Sequence, residues 1–442
     1  MVAGMRMSVI GTGYLGATHA ACMAELGHEV VGVDVDESKI AALQSGDVPF
    51  FEPGLPEITR RNLDNGRLRF STDYADAAEA KVHFLGVGTP QQRGAYAADL
   101  TYVRAVIKDL VPRLTGDNLI LGKSTVPVGT AAELQVLADE LAPEGTTVEI
   151  AWNPEFLRES HGVEDTIHPD RIVLGLREGS TQEPLVREIY ASQLAEDIPF
   201  LVTDLQTAEL VKVSANAFLA TKISFINAVA EVCEAAGADV VKLAEAIGYD
   251  DRIGRKFLGA GLGFGGGCLP KDIRAFMARA GELGADQALS FLREVDGVNM
   301  RQRDRVVQLA KQLSGGSLLG KRVTVLGAAF KANSDDVRDS PALNVAGQLS
   351  LAGAAVSVYD PEAMANAAKV FPTLTYAQSL RESLEGAELV LLATEWQEFR
   401  DMDPQEIAQV VDQRIIIDAR NVLDPAAWAA EGWQIKALGR SL

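Results

Sequence analysis

Met7-Ser-Val-Ile-Gly11-Thr-Gly13-Tyr-Leu-Gly16 places a short apolar strand directly before three spaced glycines, and this stretch decides the fold. The pattern predicts a strand, a glycine turn and a helix that continues to about Leu26. Residues 29–33 then form a second apolar strand, which ends at Asp34. Strand, glycine turn, helix, strand and acid in this order are the fingerprint of a dinucleotide-binding α/β domain.

Each glycine of the fingerprint has a physical task. Gly11 makes the turn, Gly13 lets a pyrophosphate reach the helix N-terminus, and Gly16 lets the helix pack against the strand. Asp34 is expected to accept hydrogen bonds from the adenosine ribose, and its charge would repel a 2′-phosphate. We therefore expect NAD rather than NADP as the cofactor.

Three later strands end in polar residues, at the edge where open parallel sheets bind ligands. Residues 82–85 lead to Thr89, and residues 119–121 lead to Lys123-Ser-Thr125. Residues 148–151 lead to a segment that carries Glu155, Arg158 and Glu159, which we expect to share one helical turn. This segment is either an acid/base and anion-binding cluster or a solvated helix start.

One uninterrupted helix is predicted from Asp204 to about Ala236, because more than thirty residues follow a helical pattern without Pro or Gly. We interpret it as a spine between domains and as a dimer contact. Lys212 and Asn216 are four residues apart and share a face. They are either a snorkelling lysine beside an amide, or two donors aimed at a reacting oxygen.

A single cysteine ends the stretch Gly261-Leu-Gly-Phe-Gly-Gly-Gly-Cys268-Leu-Pro-Lys271-Asp272. Glycines let the backbone approach a ligand closely, and the proline suits the first turn of a helix that we place at residues 273–283. A helix N-terminus and Lys271 both favour the nucleophilic thiolate. We interpret Cys268 as a nucleophile, whereas the alternative is a small buried residue in a tight turn.

A second β-α-β unit follows the cysteine stretch and a polar helix predicted at residues 286–313. Its strands are residues 322–326 and 355–359, and two more parallel-type strands follow at 389–393 and 414–418. The predicted fold class is α/β, with two Rossmann-like parallel-sheet domains joined by a long central helix. The predicted division is 1–203 for NAD binding, 204–314 for the central helices and cysteine loop, and 315–442 for the second nucleotide fold. We expect a cleft between the two sheets to hold the site.

Composition excludes several classes of protein. The chain has 442 residues, of which 47% are hydrophobic and 23% charged, and its net charge of −20 argues against nucleic acid as a partner. Three cysteines imply no disulfide framework and a reducing compartment. We expect a cytoplasmic protein with no membrane-spanning stretch and, since no Cys/His spacing suggests one, no metal.

These motifs together resemble the UDP-glucose 6-dehydrogenases, within the wider UDP-glucose/GDP-mannose dehydrogenase family, over essentially the whole chain. The resemblance implies oxidation of UDP-glucose to UDP-glucuronate, with two NAD reduced per sugar, by a homodimer that pairs through the central helix. A cysteine thiolate suits such a reaction, because it can add to an aldehyde, and the adduct can then be oxidised to a thioester that water cleaves.

Carried over position by position, the resemblance implies a role for each matching residue. The implied catalytic residues are Cys268 as nucleophile, Lys212 and Asn216 as oxyanion donors, Asp272 and Thr125 as holders of a water, and Glu155 as general base. The implied NAD contacts are Gly11, Gly13, Tyr14, Leu15, Gly16, Asp34, Lys39, Thr89, Thr125, Glu159, Lys271 and Arg338. The implied sugar-nucleotide contacts are Glu155, Phe156, Leu157, Arg158, Lys212, Asn216, Phe257, Gly261, Gly265, Cys268, Phe330, Lys331 and Arg420, with Arg252 lent to a partner subunit.

Three other functions compete with this interpretation. The same reaction on GDP-mannose or a UDP-N-acetylhexosamine is the first, because the residues that select the sugar are spread along the chain. A single-step β-hydroxyacid dehydrogenase shares the fingerprint, the long helix and the Lys/Asn pair, but it needs neither Cys268 nor a second nucleotide fold. A non-enzymatic sugar-nucleotide sensor would not need Cys268, Lys212 and Asn216 together.

Overall fold

Two mainly parallel sheets form from the apolar runs of the sequence in a computed structural model that describes residues 4–440. The described residues divide into two units. The first contains the chain up to Ala215 together with Arg274–Leu283, and the second contains Asn216–Ile273 and the chain from Gly284 onward. The division into three domains stays a prediction.

The first unit is built on an eight-stranded sheet. Its strands are β1 (Arg6–Ile10), β2 (Glu29–Val33), β3 (Leu68–Ser71), β4 (Val82–Leu85), β5 (Asp117–Gly122), β6 (Thr147–Trp152), β7 (Ile172–Leu176) and β8 (Phe200–Asp204). They lie in the order β3-β2-β1-β4-β5-β6-β7-β8, and only the β6–β7 pair is antiparallel. The strand order reverses between β1 and β4, and the carboxyl edge at this point is where such sheets bind ligands.

Helices cover both faces of this sheet. They are α1 (Tyr14–Glu25), α2 (Glu37–Gln44), α3 (Leu55–Asp64), α4 (Tyr74–Ala78), α5 (Thr101–Leu110), α6 (Thr130–Leu141), α7 (Gly162–Ile167), α8 (Glu183–Ile189) and α9 (Ala191–Leu194), with a 3₁₀ turn at Val111–Arg113. One apolar core lies against α1, α3 and α8, and the other lies against α5 and α6. Burial on both faces explains why the central strands are continuous apolar runs.

The predicted spine is α10 (Leu205–Ala236), a single helix of 32 residues that begins in the first unit and continues into the second. By length and composition alone it could cross a membrane, with a mean hydropathy of 1.3 in its most apolar window. The expectation that no apolar stretch is long enough to span a membrane was therefore wrong, whereas the expectation that the protein does not span one stays a prediction. A core helix of a soluble protein passes the same test, and 44% of that window is buried.

The second unit carries a six-stranded sheet that repeats the same winding. Its strands are β9 (Arg322–Leu326), β10 (Ala355–Tyr359), β11 (Thr375–Tyr376), β12 (Leu389–Leu392), β13 (Ile415–Asp418) and β14 (Gln434–Ala437). All neighbouring pairs are parallel, in the order β11-β10-β9-β12-β13-β14. The predicted fold class, two Rossmann-like sheets joined by a long helix, is confirmed.

The remaining helices are α11 (Val240–Gly248), α12 (Leu269–Glu282), α13 (Phe291–Leu313), α14 (Pro341–Leu351), α15 (Met364–Val370), α16 (Leu380–Leu384), α17 (Gln397–Arg400), α18 (Pro404–Ile407) and α19 (Pro425–Ala430). The helix expected from residue 286 begins only at Phe291. Gly284, with φ of +77°, lies just past α12, and residues 285–290 form tight turns before α13 begins. A glycine in this conformation is a common signal of a helix end.

Candidate active site

The glycine turn after β1 leaves the N-terminus of α1 open. Gly11 has φ of +88°, and a Cβ at that residue would lie 2.6 Å from Cγ1 of Val87. A Cβ on Gly16 would lie 1.7 Å from the carbonyl oxygen of Gly11, so only glycine allows this packing. A Cβ on Gly13 would meet no atom within 4 Å, and no side chain caps the helix. The open N–H groups of the first turn, including that of Leu15, fit a bound pyrophosphate.

Asp34 lies at the end of β2, where its Oδ2 accepts hydrogen bonds from the N–H of Thr12 at 2.7 Å and from Nζ of Lys39 at 2.8 Å. Burial alone would raise the pKa of Asp34, but the hydrogen bonds from Lys39 and from backbone N–H groups outweigh it and lower the pKa. Thr12 and Lys39 also line a cleft of about 290 Å³ beside Gly13 and Phe50. An anionic Asp34 at this place fits the ribose of NAD.

Glu52 is a buried carboxylate that no sequence pattern marks. It accepts a hydrogen bond from the hydroxyl of Tyr14, and the N–H of Ser160 donates to its Oε2 at 2.8 Å. Burial, Glu52 and the nearby charge of Glu159 all raise the pKa of Tyr14, so its hydroxyl stays a donor. Tyr14 and Glu159, both predicted NAD contacts, therefore lie close together.

Thr89 and Thr125 meet at the carboxyl ends of β4 and β5. The hydroxyl of Thr89 donates to the carbonyl oxygen of Thr125 at 2.7 Å, and the hydroxyl of Ser124 donates to that of Val87 at the same distance. Thr89 is only 6% exposed. The segments after β4 and β5, both predicted to face a ligand, are thus joined by hydrogen bonds.

Lys123 lines a small polar cavity of about 50 Å³. The other residues that line it include His19, Asn153, Glu155 and Tyr190. Burial lowers the pKa of Lys123 to about 8, although the charge of Glu155 opposes this. Burial also lowers the pKa of His19, whose buried Nε2 has no hydrogen-bond partner among the described residues. The cavity is large and polar enough for a few water molecules. Because Lys123 and Glu155 line the same cavity, Lys123 places a positive charge near this carboxylate.

Glu155 pairs with Lys212, which α10 contributes to the first unit. Their charged atoms are 3.1 Å apart, and the side chains are 12% and 6% exposed. The N–H of Leu157 also donates to Oε2 of Glu155 at 2.5 Å, and Nζ of Lys212 lies 5.7 Å from the ring centre of Phe156. A carboxylate fixed in this way is a suitable base for an activated water.

The segment that carries Glu155, Arg158 and Glu159 is not helical, contrary to expectation. It stays irregular from Asn153 until α7 begins at Gly162. The backbone N–H groups of Leu157 and Arg158 donate to the carboxylates of Glu155 and Asp165, at 2.5 and 2.8 Å, and not to carbonyl oxygens four residues earlier as in a helix. Arg158 is 56% exposed and pairs with Asp165 at 2.5 Å, so its predicted sugar contact stays a prediction.

In the second unit, Cys268 is the residue immediately before α12, and its side chain is exposed. The N–H of Asp272 donates to the carbonyl oxygen of Cys268 at 2.9 Å, as expected for the residue that begins a helix. The other two cysteines, Cys22 and Cys233, are buried in helices. Cys268 is thus the one described thiol that a substrate can reach, and it lies at a helix N-terminus, which favours a thiolate.

Asn216, Lys271 and Asp272 form a bonded cluster in the same unit. Nδ2 of Asn216 donates to Oδ2 of Asp272 at 2.7 Å, and Nζ of Lys271 donates to Oδ1 at 2.6 Å. Asp272 is 1% exposed and Asn216 is 7% exposed. Two predicted catalytic residues therefore contact each other, and Lys271, predicted to contact NAD, is bonded to one of them.

Arg420 holds the loop that leads to Cys268. Its Nη1 donates to the carbonyl oxygen of Gly263 at 3.0 Å and its Nη2 to that of Phe330 at 3.4 Å. A Cβ on Gly266 would lie 2.9 Å from the ring of Phe330, and Nζ of Lys331 is 5.7 Å from the centre of that ring. Two predicted sugar-nucleotide contacts, Arg420 and Phe330, therefore lie against the glycine-rich loop, and a third, Lys331, lies near the ring of Phe330.

Much of the chain before this loop is exposed, although Leu258 is buried and Nζ of Lys222 donates to the carbonyl oxygen of Ile253 at 2.9 Å. Arg252 pairs with Asp250 at 2.6 Å, and 88% of its side chain is exposed. Phe257 follows in a turn, has φ of +64° and is 40% exposed. The N–H of Gly261 then donates to Oδ1 of the buried Asn227 at 2.8 Å. The predicted contacts of Arg252 with a partner subunit and of Phe257 with the sugar nucleotide stay predictions.

Asp360 follows β10 as Asp34 follows β2, but Asp360 is buried, whereas the side chain of Asp34 is 11% exposed. Oδ2 of Asp360 accepts hydrogen bonds from the N–H groups of Ala328 and Ala329 at 2.7 and 3.0 Å and from the indole of Trp396 at 3.2 Å. The residue is 1% exposed. Asp360 therefore stabilises the turn after β9 and is not available to a ribose, which distinguishes the two nucleotide folds.

No three His, Cys, Asp or Glu side chains within residues 4–440 lie close enough together to hold a metal ion. The expectation that the protein needs no metal stays a prediction.

The chain matches three family models, which follow one another along its length. Residues 5–194 match the NAD binding domain of the UDP-glucose/GDP-mannose dehydrogenase family, residues 206–301 match its central domain, and residues 324–425 match its UDP binding domain. A UDP-glucose 6-dehydrogenase of Rhizobium meliloti is 40% identical over 99% of this chain and 100% of its own length. A UDP-glucose 6-dehydrogenase of Bacillus subtilis is 39% identical over 98% of this chain and 93% of its own. A solved UDP-glucose dehydrogenase from Pyrobaculum islandicum superposes with a TM-score of 0.91 at 38% identity, covering 100% and 99% of the two chains.

Proposed function

Because the chain belongs to the UDP-glucose/GDP-mannose dehydrogenase family, we propose that it oxidises UDP-glucose to UDP-glucuronate and reduces two NAD per sugar. The observation that carries the proposal is the exposed thiol of Cys268 at the start of α12, in a chain whose first unit holds an open dinucleotide fingerprint. A reaction that stops at an aldehyde or ketone needs no such nucleophile, whereas one that proceeds to an acid benefits from it.

Bound NAD would supply the hydride acceptor for each of the two oxidations. The Cys268 thiolate adds to the carbonyl carbon of the aldehyde, and the resulting alkoxide takes up a proton to give a thiohemiacetal. Oxidation of this adduct leaves a thioester on the sulfur. Water then attacks the thioester carbon, the carbon–sulfur bond breaks, and the sugar carboxylate and the thiol are released.

The other polar residues support these steps. We assign Lys212 and Asn216 as donors to the oxygen that becomes negative, because preorganised donors of this kind stabilise transition states strongly. Glu155 takes the proton of the attacking water, and Asp272 and Thr125 hold that water. The ion pair of Glu155 with Lys212 and the hydrogen bond of Asn216 to Asp272 support these assignments.

The competing functions have weaker support. The relatives and the solved structure with 38–40% identity carry the name of UDP-glucose dehydrogenases, which favours UDP-glucose over other nucleotide sugars. The match to a UDP binding domain argues against a simple β-hydroxyacid dehydrogenase. A sensor without activity leaves the exposed cysteine unexplained.

We also propose that the protein is a cytoplasmic homodimer that pairs through α10. Phe218, Phe225 and Val232 are 66%, 54% and 66% exposed, and they recur every seven residues on one face of the helix. A second copy of the chain would cover this apolar stripe. The substitution Phe225→Asp should shift the particle to the monomer mass in light scattering, and an unchanged mass would contradict the interface.

A panel of nucleotide sugars tests the function. We expect UDP-glucose to react faster than GDP-mannose and UDP-N-acetylglucosamine, with two NADH formed per sugar consumed. One NADH per sugar would indicate a single-step dehydrogenase. Faster turnover of another sugar at a ratio of two would keep the chemistry and correct the substrate.

A further inference from the structure

Two buried side chains of α13, one turn apart, face the loop that carries Cys268. Asn299 is fully buried, and its amide bonds the same backbone residue twice. Oδ1 accepts from the N–H of Phe264 at 2.8 Å, and Nδ2 donates to the carbonyl oxygen of Phe264 at 3.0 Å. The paired bonds hold Phe264 as a neighbouring strand would.

Arg303 is the second of these side chains and is 2% exposed. Its Nη1 donates to Oδ1 of Asp339 at 3.0 Å, and its Nη2 donates to the carbonyl oxygens of Phe264 at 3.3 Å and Asp339 at 3.4 Å. The guanidinium therefore joins the cysteine loop to the segment before α14. Burial of a charge is costly unless such bonds compensate it, and the rigid fork of arginine suits this geometry.

The two joined segments touch closely. The N–H of Gly266 donates to the carbonyl oxygen of Arg338 at 2.9 Å. A Cβ on Gly265 would lie 2.3 Å from the carbonyl oxygen of Asp339, and a Cβ on Gly267 would lie 2.2 Å from Cζ of Arg338. Asp339 has φ of +46°, a conformation that residues other than glycine rarely adopt. Such a conformation persists where surrounding contacts hold it.

We propose that Asn299 and Arg303 are positioning residues for Cys268. The residues between Phe264 and Cys268 are all glycines, which give the loop little stiffness of its own. Anchoring Phe264 and Asp339 from α13 fixes the loop against Arg338 and thereby sets the place of the thiol. The inference rests on the proposed role of Cys268 as nucleophile.

The test compares Asn299→Ala, Arg303→Met and Arg303→Lys in the full-length protein. Arg301→Met is the matched control, because Arg301 lies on the same helix, is half exposed and pairs with Glu231 at 3.0 Å. We expect the first two variants to lower kcat about tenfold or more, with a smaller change in the KM for UDP-glucose, because small misplacements of reacting groups are costly. Arg303→Lys should recover part of the loss, and the control should match the wild type.

Alkylation of Cys268 by iodoacetamide gives a readout that does not depend on turnover. Mass spectrometry locates the modified residue, and we expect Asn299→Ala to change the rate at Cys268 while the control does not. The proposal would be overturned if Asn299→Ala and Arg303→Lys kept the kcat, the alkylation rate and the thermal midpoint of the wild type. This outcome is decisive even if Arg303→Met does not fold. Full activity of Cys268→Ser would refute the nucleophile instead, and the alkylation rates would still report on positioning.

Discussion

Asn216 donates a hydrogen bond to Asp272 at 2.7 Å and thereby joins α10 to the first turn of α12, 56 residues further along the chain. Both side chains are buried, and Lys271 occupies the second oxygen of the carboxylate. An amide nitrogen has two hydrogens. One is used by Asp272, and the other can serve a substrate oxygen in the orientation that this bond fixes.

This relationship predicts that Asn216 and Asp272 act as a unit. Asn216→Ala and Asp272→Ala should each lower kcat/KM, and the double variant should lose less than the sum of the two losses. We expect a coupling energy of about 1–3 kcal/mol from the double-mutant cycle. Asp239→Ala, which removes the N-cap of α11, combined with Asn216→Ala is the control and should be additive. Additive losses for Asn216 and Asp272 would show that the bond has no catalytic consequence.

Replacement of Cys268 by Ser should abolish complete oxidation. Serine is a much weaker nucleophile than a thiolate, so we expect turnover to fall on the order of a thousandfold or more. NADH absorbance gives the rate, and mass spectrometry of the sugar shows whether the product stops at the aldehyde. Cys233→Ala, which alters a buried thiol, should keep the same chemistry. A Cys268→Ser enzyme that still makes two NADH per sugar would remove the covalent mechanism.

The strands and the fingerprint could be predicted because their causes are local. Strands buried on both faces are continuous apolar runs, and the turn after β1 needs glycine at fixed places. The irregular segment after Asn153 could not be predicted from its composition. Its shape depends on hydrogen bonds to Asp165, Val173 and Tyr190, which all come later in the chain.

Buried polar residues that support the site were harder to find for the same reason. Glu52 and Arg303 look like solvated charges in the sequence, because each finds its partners more than thirty residues away. Asp34 and Asp360 look alike in the sequence, because each directly follows the second strand of its sheet, β2 and β10 respectively. Only the structure shows that backbone N–H groups and Trp396 occupy the carboxylate of Asp360.

Asp34→Ala should weaken NAD binding and reduce the preference of the enzyme for NAD over NADP. The substitution removes the negative charge that would repel a 2′-phosphate and leaves Lys39 without its partner at 2.8 Å. We expect the KM for NAD to rise about tenfold or more, while kcat changes less. Glu37→Ala, an exposed acid in the first turn of α2, is the control. Unchanged kinetics with both cofactors would show that Asp34 does not face the ribose.

Lys212→Met should lower kcat on the order of a hundredfold, because the substitution removes an oxyanion donor and the partner of Glu155 at 3.1 Å. Steady-state kinetics with UDP-glucose measure the effect. Lys242→Met, an exposed lysine on α11, is the control and should leave kcat unchanged. A change confined to the KM for UDP-glucose would assign Lys212 to binding alone.

Glu209 on α10 makes the stability of the first unit depend on pH. Its two carboxylate oxygens accept hydrogen bonds from the N–H groups of Gly129 and Ala131, each at 2.7 Å, at the N-terminus of α6. Burial raises the pKa of Glu209 from 4.5 to about 7, although these bonds and the charge of Arg279 oppose the rise. The folded protein therefore keeps this proton to a higher pH than the unfolded chain does.

Ionisation of Glu209 should consequently lower the free energy of unfolding as the pH rises from about 4.5 to about 7, by up to about 3 kcal/mol. Glutamine cannot ionise, so the stability of the wild type relative to Glu209→Gln should fall between pH 5 and pH 8, whatever the offset between the two proteins. Urea unfolding at pH 5, 6.5 and 8 measures the difference. Glu133→Gln, in the exposed first turn of α6, should show no such trend. An equal difference between the wild type and Glu209→Gln at all three pH values would mean that Glu209 stays ionised throughout this range.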